Sequence, residues 1–93
     1  MELTSEHLAI LQLSINEAKS WRKEGRELRN IGPSCVVMPQ SDVPIWALHE
    51  LVDAGLARYK LTPPNQEVVP AYVLTTEAEQ TIQGLYLTGK LTR

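Results

Sequence analysis

The chain has a single cysteine, two histidines and no long apolar run, and each shortage closes off a class of protein. Cys35 has no partner cysteine, so no internal disulfide staples the fold. With only two histidines, His7 and His49, no metal-ligand set of recognisable spacing exists. No apolar stretch approaches the roughly 18 residues that a membrane span requires. The start MELTSEHL is acidic where a secretory leader carries a basic segment, so a cytoplasmic location is expected. A glycine-rich phosphate loop and a paired-carboxylate motif are missing as well. Cys35 stands beside Val36 and Val37 and reads as a buried, inert thiol, not as a nucleophile activated by His7 or His49. Neither a cofactor nor an enzymatic activity is expected.

What is present describes one globular domain. The chain has 93 residues, 43% of them apolar and 22% charged, which is enough for one core and too little for two, so residues 1–93 form a single domain. The formal charge of -2 argues against indiscriminate binding to nucleic acid, and the distribution of charge matters more than the sum. From Lys19 to Arg29 the chain carries Lys19, Arg22, Lys23, Arg26 and Arg29 against Glu24 and Glu27, a local excess of three positive charges.

The spacing predicts a helix from Thr4 to about Glu24, capped by Thr4 or Ser5, with Leu8, Leu11, Ile15 and Ala18 as its apolar stripe. Ile10, Leu13 and Trp21 lie beside or beyond that stripe and imply a second packing surface, either within the chain or in a two-fold dimer. A homodimer through the first or last helix is expected. Gly25 breaks or bends the helix, at most a short helix fits Glu24 to Asn30, and the turn residues NIGPS follow. Cys35-Val36-Val37-Met38 then reads as a short buried strand or an extended connector stopped by Pro39.

A second helix is capped by Ser41 or Asp42, holds Pro44 in its first turn and presents Ile45, Leu48, Leu51 and Val52 to the core. Gly55 ends it in the left-handed conformation, with Leu56 folding back on Leu51. In Ala57-Arg58-Tyr59-Lys60-Leu61 the alternation puts Ala57, Tyr59 and Leu61 on one face and Arg58 and Lys60 on the other. After the loop TPPNQE, Val69 to Leu74 returns as the partner strand, with Pro70 suited to an edge or to the beginning of the strand. The last helix starts at Thr75 or Thr76, where Thr76 and Glu79 have capping-box spacing. It buries Ala78, Ile82 and Leu85 and ends near Gly89.

LHELVDAGLARYKL (48–61) and YVLTTEAEQTI (72–82) together resemble the recognition-helix end, wing strands and following helix of the winged-helix domains of bacterial transcription regulators, particularly the MarR-like and PadR-like families. The span from 48 to 82 that holds both stretches is a little over a third of the chain. It implies an α+β winged-helix fold and a regulator bound to double-stranded DNA. Phosphate contacts would then come from Arg58 and Lys60 in the hairpin and from Arg22, Lys23, Arg26 and Arg29 at the basic end of helix one. The ordinary alternative for both sets is a solvated surface.

The middle helix points another way. Its expected outward residues are Trp46, Ala47, Glu50 and Asp53, with His49 at the border. It therefore brings no Arg or Lys to a DNA groove. An outward Trp46 would anchor a protein interface, with Ile10, Leu13 and Trp21 as further interface candidates. Burial of Trp46 under the connector at 31–40 is the competing expectation.

Overall fold

The structure is a computed structural model, and it describes residues 2–25, 33–60 and 70–92; the side chain of Cys35 lies outside the described residues. Its elements are α1 (Ser5–Lys23), β1 (Met38–Pro39), α2 (Ile45–Asp53), β2 (Ala57–Lys60), β3 (Ala71–Leu74) and α3 (Thr76–Leu87), with 3₁₀ turns at Pro33–Cys35 and Gln40–Asp42. The three strands form one antiparallel sheet in the order β1-β3-β2, so the domain is a small α+β unit. No described helix is long and apolar enough to cross a membrane.

Helix α1 buries His7, Ile10, Leu11, Ser14, Ile15 and Ala18. These recur at spacings of three and four and so share one face. Leu8 packs at the margin of the core and does not lie within it. Ile10 is fully buried inside the chain's own core, so the second packing surface at this position is intramolecular. The helix stops at Gly25, whose positive φ of 74° turns the backbone. The short helix suggested for Glu24 to Asn30 falls mostly outside the described residues, and its described beginning, at Glu24 and Gly25, is a turn.

Helix α2 departs from expectation at both its start and its setting. Pro44, not Ser41 or Asp42, is its N-cap; those two residues belong to the preceding 3₁₀ turn. The buried face is Ala47, Leu48 and Leu51, while Ile45 is 47% exposed. At 100° per residue this is a rotation of roughly 60° from the leucine-isoleucine face that periodicity favours. Ala47 is small enough to let neighbouring elements approach closely, which a larger side chain at that position would prevent.

The join between α2 and the sheet forms as its sequence implies. Gly55 has φ of 78°, its N–H donates to the Val52 carbonyl (3.0 Å), and the Leu56 N–H donates to the Leu51 carbonyl (2.9 Å). That pair of bonds is the Schellman motif. Strand β2 then pairs with β3 in the register Ala57↔Leu74, Arg58↔Val73, Tyr59↔Tyr72 and Lys60↔Ala71. Leu61, the loop TPPNQE and Val69 lie outside the described residues.

One strand expectation is corrected, and the placing of Pro70 at the beginning of its strand is met. Strand β1 comprises only Met38 and Pro39, so Val36 and Val37 lie outside it and Pro39 is its last residue. It is tolerated because β1 is an edge strand. Strand β3 is central, pairing with β1 on its other side, and all four of its residues are buried. Pro70 stands just before it, where its carbonyl accepts the Gln40 N–H (3.0 Å).

Helix α3 is capped by Thr75, whose hydroxyl oxygen accepts the Ala78 N–H. The capping box starting at Thr76 therefore does not form; Glu79 instead accepts a hydrogen bond from the Ser34 hydroxyl (2.9 Å). Thr75 also donates its hydroxyl to the Gly55 carbonyl (2.6 Å) and its N–H to the Leu56 carbonyl (3.0 Å). Beyond α3, Leu91 returns to the core. Gln12 on α1 pairs with Thr92 in both directions, its amide donating to the Thr92 carbonyl (2.8 Å) and its carbonyl accepting the Thr92 N–H (2.9 Å).

Candidate functional site

The most distinctive surface is the outer face of α2. Taking Ile45 as 0°, the exposed residues run in the order Ile45, His49, Asp53, Trp46 and Glu50 across an arc of roughly 140°. Trp46 is 51% exposed, so it is not covered by the connector. Ala47, expected on this face, has turned into the core.

Beneath this face lies His7, 1% exposed. Its position three residues after Thr4 is that of the reciprocal partner in a capping box, a place usually held by Glu or Gln. The Thr4 N–H donates to His7 Nδ1 (2.9 Å), which leaves the neutral ring's proton on Nε2. Nε2 is buried without a hydrogen-bond partner and stands 3.5 Å from Glu50 Oε1. The imidazole also meets the Trp46 indole edge to face, with centroids 5.8 Å apart and planes at 65°. One buried ring thus braces two exposed side chains a helical turn apart on α2.

At the other margin of the face, the Tyr59 hydroxyl is hydrogen-bonded to His49 Nδ1, and the two rings pack edge to face at 5.5 Å. This contact joins α2 to β2. Because side chains alternate along a strand, Arg58 and Lys60 point away from the sheet face on which Tyr59 meets α2; both are exposed. Arg22 and Lys23 lie exposed in the last turn of α1, about 22–24 Å along its axis from His7. The cationic side chains are thus set apart from the acidic, aromatic face of α2. Arg26 and Arg29 lie outside the described residues.

The remaining interface candidates are dispersed. Leu13 is partly exposed on α1, and Trp21 is half-buried with its indole N–H donating to Glu17 Oε1 (2.9 Å). Residue-by-residue reading missed His7 and the His49–Tyr59 pair. The Thr4-x-x-His7 spacing was the available signal for the first; the second depends on how α2 lies against β2.

One polar group in the core is also unpaired. The Tyr72 hydroxyl is buried with no partner in hydrogen-bond geometry. Burial pushes its pKa above the usual 10, with the Asp42 charge adding to the rise and the Ser14 hydroxyl opposing it. Among the described residues no three His, Cys, Asp or Glu side chains gather as a metal site.

Comparison with protein-family models, with curated proteins and with solved structures finds no match to this chain.

Proposed function

We propose that this chain is a winged-helix-like protein-interaction module whose docking surface is the outer face of α2. The observation that carries the reading is Trp46, half exposed yet braced by a buried ring. An aromatic side chain already held in place loses little conformational entropy on binding, which is what makes such residues effective anchors. Ile45 extends the apolar area beside it. The winged-helix likeness is supported by the element order and by the β1-β3-β2 sheet, with the 3₁₀ turn Gln40–Asp42 standing where a longer helix would precede α2.

The test is a two-hybrid selection against a fragment library of the source genome, repeated with Trp46→Ala. Genuine partners lose binding with the variant while the variant stays folded. If every selected partner binds Trp46→Ala as well as wild type, the reading is wrong.

A second reading, a DNA-associated regulator, is favoured by the exposure of Arg58 and Lys60 together on β2. The carboxylates of Glu50 and Asp53 oppose a groove-reading role for α2, so the contact would be to phosphate and strongly salt-dependent. Gel-shift titration of random duplex at low and moderate salt tests it, with Arg58→Ala/Lys60→Ala expected to weaken binding and flatten the salt slope. Absence of a shift at low salt removes this reading.

A further inference from the structure

We propose that the α2 face recognises a cationic side chain, an arginine or lysine carried by a partner protein; this rests on α2 being a docking face and names the chemistry of what docks. On the helical arc, Asp53 and Glu50 lie within roughly 20° and 40° of the direction of Trp46. Glu50 stands one turn from Trp46, about 6 Å along the axis, and Asp53 two turns from it, about 10 Å. No Lys or Arg belongs to α2, and Arg58 and Lys60 are turned to the opposite face of the sheet.

The second observation is His7. Its Nε2 is buried, has no hydrogen-bond partner and stands 3.5 Å from Glu50. Because Nδ1 is occupied as an acceptor of the Thr4 N–H, Nε2 is the donor atom left over on the ring, close to the Glu50 carboxylate but outside hydrogen-bond geometry with it. Half of the Glu50 side chain is still open to solvent. A guanidinium or ammonium group stacked on Trp46 would lie within reach of Glu50, combining cation–π attraction with a charge-assisted hydrogen bond, while Asp53 adds its charge from about 10 Å along the helix. A neutral apolar partner would instead desolvate both carboxylates without pairing them. A phosphate-bearing ligand would be repelled.

The experiment titrates the full, ¹⁵N-labelled chain with the blocked pentapeptide acetyl-SRLRS-amide and with the same peptide carrying neutral citrulline in place of both arginines. Concentrations up to about 20 mM suffice for a millimolar site. The arginine peptide is expected to give saturable shifts of the Trp46 indole N–H and of the His49, Glu50 and Asp53 amides, weakening as NaCl is raised. The variant Glu50→Gln/Asp53→Asn is expected to bind roughly tenfold more weakly. Trp46→Leu, which keeps apolar bulk and removes the aromatic face, should lose the preference for arginine over citrulline.

Equal shifts from the citrulline peptide overturn the cationic proposal and leave the docking face intact. No saturable shift from either peptide also overturns it, while the docking face is judged separately by the two-hybrid selection.

Discussion

Replacing glycine by alanine at two positions should move stability in opposite directions. At Gly55 the backbone has φ of 78° and an added Cβ would meet nothing within 4 Å, so the whole penalty is conformational. Holding an L-residue in the left-handed region costs about 1–2 kcal/mol. The reduced freedom of the unfolded chain returns about 0.4–1 kcal/mol, leaving a net destabilisation of roughly 1 kcal/mol for Gly55→Ala. At Gly84, inside α3 and also without a neighbour within 4 Å, the same substitution relieves the helix of its most flexible residue. Gly84→Ala should stabilise by about 0.5–1 kcal/mol. In a domain of this size 1 kcal/mol corresponds to a Tm change of roughly 4–8 °C. Thermal melts of the two variants beside wild type should therefore bracket it. If both alanines raise Tm, or both lower it, the assigned backbone at one of the two glycines is wrong.

Three further substitutions test other parts of the structure. Trp46→Ala should cost about 1–3 kcal/mol, the contribution of a half-buried indole whose one ring contact is with the buried His7; a much larger loss in urea unfolding would mean that the indole belongs to the core. Tyr72→Phe removes a buried hydroxyl without a partner and should be neutral or stabilising by about 1 kcal/mol at pH 7. Its pH dependence has a definite sign: the folded-state pKa is raised, so wild-type stability is fully present below about pH 10 and falls as pH climbs through the folded value. Tyr72→Phe should lose that part of the alkaline decline, and a wild-type-like alkaline limb would contradict the burial. Gln12→Ala removes both bonds to Thr92 and should cost about 1 kcal/mol, given their solvent exposure. It should also speed exchange of the Thr92 amide in hydrogen-exchange measurements; unchanged exchange would refute the tether.

Much of this fold was legible because it depends on local chemistry. Thr4, Gly25 and Gly55 delimit helices through caps and positive φ, and the alternation of Ala57, Arg58 and Tyr59 marks a strand whatever lies around it. The rotational setting of α2 was not legible in the same way. Ile45 and Ala47 stand on opposite sides of Leu48 and Leu51, and hydrophobicity favours burying the larger. Packing buries the smaller, because distance to neighbouring elements is decided in three dimensions. The choice between Thr75 and Thr76 as the cap of α3 falls to Thr75 for a similar reason: its backbone and hydroxyl are engaged with Leu56 and Gly55. As for the site, exposure of Trp46 was one of two open alternatives in the sequence. The ring supporting it comes from a residue 39 positions away, and no periodicity connects the two.

The three bonds at Thr75 have a mechanical consequence. One side chain grips the exit of α2, the beginning of α3 and, through its backbone, the first turn into the sheet. The corner between α2 and α3 is thus closed by hydrogen bonds from a single residue. At the far end of α3 from this corner, Leu87 stands 87% open to water.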